Sequence, residues 1–288
     1  MSENYGIGVI GGSGLYSMEG AQILEERMIE TPFGEPSSPL FLAEVEGRRV
    51  AFLARHGLDH TLSPTEVNYR ANMYALRKAG VERVISISAC GSLREDYAPG
   101  ELVVPDQLYD NTKSRKMTFF EDGLVAHVDV AEPFCTDLSG RLSDSAEACD
   151  ATVYRSGSYV TIEGPRFSTR AESNTYRAWG MSIVGMTTSP EAFLAREAEM
   201  CYSVLAHVTD YDVWRTAEDP VTVEMVFKVL QQNTELAQQT LRHLIPTLPS
   251  GRTCSCHRAL KSALTTDPES IHPNTREKLS LFVDPYLD

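Results

Sequence analysis

Apolar and polar positions run along the chain with two periods. Short, nearly continuous apolar runs occur from Ile7 (GVIGG), in LFLAEVEGRRVAFLA, in VERVISISAC, in PGELVVPDQLYD, read as one strand, and from Tyr202 to Val208. Runs of this length, bounded by Gly, Pro and Asp, read as strands buried on both faces. The second run folds back at Glu46-Gly47 as a hairpin, and ATVYRSGSYVTIEG reads as strand, turn, strand. Between them lie stretches with helical spacing. Ser63 as N-cap, Pro64 at the first position, Glu66 completing a capping box and Gly80 as the stop predict one helix. Others are predicted in EPFCTDLSGRLSDSAEACD, over Ser168–Trp179 with Gly180 closing it, and from Pro190. DPVTVEMVFKVLQQNTELAQQTLRHLIPTL gives a long helix with Val223, Val226, Phe227 and Leu230 on one face, and Pro273 to Phe282 gives a final one. Strands alternating with helices over 288 residues predict an α/β fold in a single domain.

The ends of the apolar runs carry the candidate chemistry. In open α/β sheets ligands sit beyond the carboxyl ends of the strands, so polar groups there deserve to be read as a site. The first run ends in Gly11-Gly12-Ser13-Gly14, a backbone nest that lets amides and the Ser13 hydroxyl approach an anion. A literal G-x-G-x-x-G is present at Gly6, Gly8 and Gly11, but Gly6 and Gly8 lie within the strand and no amphipathic helix follows, which argues against a dinucleotide site. Arg55-His56 ends the hairpin and joins a fixed cation to a titratable ring, donors that suit phosphate. The third run is expected to turn at Ser88-Ala89-Cys90-Gly91. Phe167 and Ser168 stand at a strand-to-helix corner, where an aromatic ring can stack on a planar base. Met186, Thr187, Thr188 and Ser189 form a hydroxyl-rich loop, and Asp210 and Asp212 follow the last strand as proton donor and hydrogen-bond acceptor. The irregular stretch from Asn111 to Glu132, with Met117, Phe119, Phe120 and His127, is long enough to be functional or interfacial.

Charge narrows the partners. With 26 Lys plus Arg against 40 Asp plus Glu, the net charge of -14 repels nucleic acid and acidic membrane surfaces. An anionic substrate must then meet a local positive cluster. The N-terminus lacks a basic region, and no apolar run approaches the roughly 18 residues of a membrane span, so the cytoplasm is the expected location. Cys90, Cys135, Cys149 and Cys201 read as reduced core residues. Cys254-Ser255-Cys256-His257 has ligand-like spacing but lacks a second Cys or His pair, so no zinc is expected; whether Cys254 and Cys256 are oxidised, or Cys135 and Cys201 paired, stays open.

Taken together and in order, GGSG, ARHG, SACGSLRE, EGPRFSTRAE, GMTTSPE and TDYD resemble the trimeric nucleoside phosphorylase family, most closely its methylthioadenosine-cleaving branch. The resemblance covers about residues 5–247 and thins beyond Pro249, which leaves 249–288 as a tail expected to help close the site. It implies a central mixed, twisted sheet flanked by helices, and phosphorolysis of a purine nucleoside without metal or organic cofactor. It places phosphate among Ser13, Arg55, His56, Ser88, Ala89 and Thr187, the sugar on Met186, and the base at Phe167, Ser168, Asp210 and Asp212. Asp210 would assist protonation of purine N7, and Asp212 would accept from a 6-amino group. Relatives that take 6-oxopurines are similar but carry Asn for the first Asp of TDYD and Glu for Ser168. An apolar 5′ pocket is implied at Val223 and Val226, closed by His127 of a neighbouring subunit in a homotrimer or homohexamer. Competing readings are a 6-oxopurine or broad-specificity phosphorylase, a dehydrogenase and a catalytically dead binding protein.

Overall fold

The computed structural model describes the chain except residues 1–4, 13, 14, 16, 17, 19, 216–222 and 288, and of 223–233 only the backbone. The strands are β1 (Gly6–Gly11), β2 (Ala21–Arg27), β3 (Leu40–Val45), β4 (Arg48–Ala54), β5 (Val81–Ser92), β6 (Leu102–Val103), β7 (Gln107–Asn111), β8 (Val153–Tyr154), β9 (Ser158–Ile162), β10 (Ile183–Gly185) and β11 (Cys201–Asp210). The helices are α1 (Tyr69–Lys78), α2 (Thr136–Glu147), α3 (Arg170–Ala178), α4 (Thr188–Glu197), α5 (Val223–Thr247) and α6 (Pro273–Leu287).

All eleven strands join one mixed sheet, β2-β3-β4-β1-β5-β10-β9-β7, with β11, β6 and β8 branching from β5. The branch is made by β5 itself. Its first two-thirds runs parallel to β1 and β11, while Gly91 and Ser92 at its end pair with β10 in the opposite sense. Gly91 thus meets both Asp210 and Val184. On one edge of β5 the ladder to β1 ends at Ser86 and β10 joins at Gly91, so strand order switches between them, the kind of place where ligands sit in open α/β sheets.

Apolar residues alternate between two cores. Ile10, Val84 and Val204 pack on one face with Met73 and Leu76 of α1, Leu194 of α4 and Phe282 of α6. Ile7, Ile85 and Leu205 pack on the other with Leu138 and Leu142 of α2 and Leu241 and Leu244 of α5. Burial on both faces is why these strands lack polar alternation. The α/β fold on a mixed sheet flanked by helices thus matches the expectation from the sequence.

Four local readings are corrected. The first helix begins at Tyr69, not Ser63, because the Ser63 hydroxyl donates to Glu66 Oε2 at 2.6 Å instead of accepting from a helical N–H, and Asn68 caps the helix by accepting from Ala71 N at 3.2 Å. The third strand does not turn at Ser88 but continues to Ser92, its ladder to β11 intact through Cys90. ELVVPDQLYD is two strands, because Pro105 cannot donate to a ladder. The helix after Ser168 starts at Arg170, with Thr169 and Glu172 forming the capping box.

Candidate active site

At the end of β4 the backbone N–H of Arg55 donates to Gly11 O at 2.9 Å, which brings the guanidinium beneath the sheet edge. There it is almost fully committed. Nε and Nη2 donate to the two oxygens of Glu191 at 2.5 and 3.0 Å, Nη2 also reaches Ser86 Oγ at 2.7 Å, and Nη1 donates to Ile87 O at 3.1 Å. Both partners are buried, and although burial opposes the charge, the Glu191 carboxylate holds Arg55 protonated. Desolvating a charge is tolerated only when it is so paired. Of its five N–H groups, one on Nη1 is left to face an anion.

His56 follows, with Nδ1 at 2.9 Å from Leu62 O. A carbonyl only accepts, so Nδ1 carries the proton and Nε2 is left as an acceptor. Burial, then the Arg55 charge, push the imidazole down to about 4, and the ring is neutral at pH 7. With Nδ1 engaged by Leu62 O, the ring nitrogen left at this strand end is Nε2, an acceptor.

The hydroxyls predicted from separate strand ends converge. Ser88 Oγ lies 3.4 Å from Thr187 Oγ1 and 3.3 Å from Tyr159 OH, and all three residues are buried. Tyr159 fits because Gly185 has no side chain, since a Cβ there would lie 1.9 Å from the phenol oxygen. Ala89 sits beside this group on β5, paired with His207. Thr187 caps α4, whose regular turns begin at Pro190 after an extended Ser189. Two buried hydroxyls beside it, Thr188 Oγ1 and Ser189 Oγ, find no hydrogen-bond partner among the described residues.

Strand β11 delivers the carboxylate pair. Asp210 accepts from Thr209 Oγ1 and from Asp212 N, each at 2.7 Å, so its orientation is fixed. Gly91 allows the approach, because a Cβ there would meet Asp210 Oδ1 at 3.0 Å and Asp212 Cβ at 3.2 Å. Asp212 adopts φ 50°, a left-handed conformation that Asp tolerates better than most residues. Burial raises its carboxyl above the usual range, opposed by the facing Ser173 and Ser168 hydroxyls. Asp212 Oδ2, Ser168 Oγ and Ser173 Oγ are all buried without a partner in hydrogen-bond geometry among the described residues. One carboxylate oxygen and the two hydroxyls that face it are thus polar atoms left over for something that donates and accepts. Phe167 next to it is only half-buried and belongs to none of the three apolar clusters, which leaves its ring available.

Met186 packs half-buried against Gly164, where a Cβ would come within 2.6 Å of its sulfur. Of the other sequence candidates, Ser13 and the side chains of Val223 and Val226 fall outside the described residues. His127 stands apart from the cluster: it is exposed, and its backbone N–H donates to Ala263 O at 2.8 Å, tying the long loop to the tail. Sequence reading missed Glu191, Tyr159, Ser173 and Arg115. Arg115 is buried, donates to Ser189 O at 2.5 Å and to Glu163 O at 2.9 Å, and lies over the Tyr69 ring, so it braces both loops. Arg115 was visible only as one cation in a long irregular stretch.

The chain belongs to the phosphorylase superfamily, whose model matches residues 6–246. It is 49% identical over 282 residues to S-methyl-5'-thioadenosine phosphorylase of Geobacter sulfurreducens, covering 98% of this chain and 99% of that one. It is 52% identical over 275 residues to the enzyme of that name from Chloroflexus aurantiacus, covering 95% and 96%. Among solved structures, a methylthioadenosine phosphorylase sourced from an antarctic soil metagenomic library superposes with a TM-score of 0.93 at 43% identity, covering 98% of this chain and 99% of that one. The methylthioadenosine phosphorylase of Schistosoma mansoni in complex with adenine gives 0.84 at 36% identity, covering 89% and 96%. Among the described residues no helix is long and apolar enough to cross a membrane.

Proposed function

We propose that the chain catalyses phosphorolysis of 5′-methylthioadenosine, yielding adenine and 5-methylthioribose 1-phosphate. The observation that carries this reading is the recess at the end of β11, where a fixed Asp210 and an under-satisfied Asp212 face Ser168 across from the Ser88 and Thr187 hydroxyls. Relatives about half identical in sequence, named as methylthioadenosine phosphorylases, support the same reading.

In this reaction a phosphate oxygen forms a bond to C1′ as the C1′–N9 bond breaks, and the electron pair leaves with the purine. The sugar passes through an oxocarbenium-like state stabilised by the phosphate anion. Phosphate is a co-substrate, and no cofactor is required. Ser13, Ser88, Ala89 and Thr187 would hold its oxygens, Arg55 would offer its remaining N–H, and neutral His56 would accept the phosphate hydrogen. The sugar would lie on Met186 and the base on Phe167 and Ser168. As charge builds on the leaving base, Asp210 would assist protonation at N7, and Asp212 would accept from the 6-amino group. Val223 and Val226, with His127 from a neighbouring subunit of a trimer or hexamer, would enclose the methylthio group. Such a pocket gains about 0.8 kcal/mol per buried methylene and desolvates a hydroxyl.

One observation favours a second reading. The raised carboxyl of Asp212, if protonated, could donate to a 6-oxo group, which would suit a 6-oxopurine or broad-specificity phosphorylase. Incubating the protein with methylthioadenosine tests the first reading: adenine release should require phosphate and be matched by pentose 1-phosphate. Release without phosphate, or none from this nucleoside, would overturn it.

A further inference from the structure

The C-x-C unit of the tail lacks its second ligand pair in sequence, and the fold supplies one. Cys135 caps the N-terminus of α2, Cys201 opens β11, and Cys254 and Cys256 flank the first residue of a short 3₁₀ turn, Ser255–Arg258. The four sulfurs lie within 4.8 Å of one another, with Cys201 Sγ and Cys254 Sγ 3.3 Å apart, and all four thiols are free. A tetrahedron of thiolates at about 2.3 Å from zinc has edges of about 3.8 Å, so sub-ångström adjustments would close the set around one ion. The positions are braced from outside. Cys135 N donates to Tyr202 O at 2.9 Å, His257 Nδ1 lies 2.7 Å from Cys254 O, and Arg196 Nη1 donates to Cys256 Sγ at 3.4 Å.

We propose that Cys135, Cys201, Cys254 and Cys256 form a structural site for one zinc-class divalent cation, which staples the C-terminal tail to the sheet. Binding releases the thiol protons and leaves a site of net negative charge, since four thiolates exceed the two charges of the ion. Arg196, whose Nη1 donates to Cys256 Sγ at 3.4 Å, offsets part of that charge, while the surrounding cavity carries Arg258 and Lys261 together with Asp129, Glu132 and Asp137. A cavity of about 840 Å³ lined by Cys135, Cys254 and Cys256 opens onto the cluster and gives an entry path. The staple has a reach beyond itself. The tail it fixes buries Leu260 and Ala263 in the core and pairs Leu264 with Ala126, next to His127.

The test uses full-length protein kept reduced, stripped with a chelator and titrated with Co²⁺ and then Zn²⁺. The expected result is one Co²⁺ per chain, with the intense visible and thiolate charge-transfer absorption of a tetrahedral all-thiolate site, displaced by Zn²⁺. The double variant Cys254→Ser/Cys256→Ser should lose Co²⁺ affinity by more than about 100-fold, while Cys149→Ser, outside the cluster, keeps it. Should the double variant fail to fold, the stoichiometry and spectrum of the unaltered protein still decide. No uptake by the reduced, folded protein overturns the proposal. So does a spectrum unchanged in the folded double variant, or thiols that prove to be disulfide-bonded in a protein that takes up no metal after reduction.

Discussion

At the residue scale, a carboxylate held by Thr209 Oγ1 and Asp212 N is oriented before any substrate arrives, and its replacement separates catalysis from folding. Asp210→Asn keeps an acceptor for one of those bonds but no longer shuttles a proton. It should lower kcat/KM on methylthioadenosine by about 10²–10⁴-fold and stability by only about 1 kcal/mol, checked by steady-state kinetics beside a thermal melt. Comparable losses in both would make the residue structural. Glu191→Gln should behave in the opposite way, costing about 3–5 kcal/mol because it strands the buried Arg55 charge, as chemical denaturation would reveal. The contrast also marks what a sequence shows at this scale. Asp210 and Thr187 stand out because each is polar at the end of an apolar run, and Ser88 because it is a hydroxyl within one, although its strand runs on to Ser92. Glu191 does not, because its chief partner is an arginine 136 positions away and its others, Tyr202 and Ser86, are also brought to it by the fold.

At the scale of elements, the site exists because β5 exchanges β1 for β10 between Ser86 and Gly91 and because β9 and β10 pack without a gap. Gly185→Ala would drive a methyl into Tyr159 OH and push that ring against Ser88, so a loss of at least about 1–3 kcal/mol is expected with a raised KM for phosphate. A melt and a phosphate titration check it; an unchanged KM would detach Tyr159 from the anion site. Most element types were readable from apolar period, but not β2, which is exposed along most of its length, nor the three-residue β10, and ends were readable only where the deciding contact is local. Ser63, Pro64 and Glu66 carry every token of a helix start, yet the hydroxyl turned to Glu66 makes a turn, and Asn68 is the working cap. Pro105, by contrast, breaks its strand as a missing donor must. Which strands pair was not legible, since the ladder from Cys201 to Arg83 joins segments with no local signal for each other.

For the whole molecule, buried titratable groups set how stability responds to pH. His56 and His207 are both pushed down to about 4 by burial, so they favour the fold above about 6.5, and that contribution is lost as pH falls through 4. Glu197 works in the other direction. Burial lifts it to about 7 despite bonds from Thr118 Oγ1 and Phe119 N, so its contribution is full below about 4.5 and lost as pH rises through 7. Glu197→Gln removes that titration. Relative to the unaltered protein, the variant should gain about 2–3 kcal/mol between pH 5 and pH 8, read from denaturant melts at each pH. A constant difference would show that Glu197 does not titrate in this range. The same logic of burial governs the central claim, that the recess around Asp210, Asp212 and Ser168 selects a 6-amino purine. The direct measurement is kcat/KM for methylthioadenosine against methylthioinosine at saturating phosphate and pH 7. A preference for the amino substrate of about 100-fold or more is predicted, because an oxo group sets a carbonyl against carboxylates. Equal rates, or a preference for the inosine compound, would contradict it.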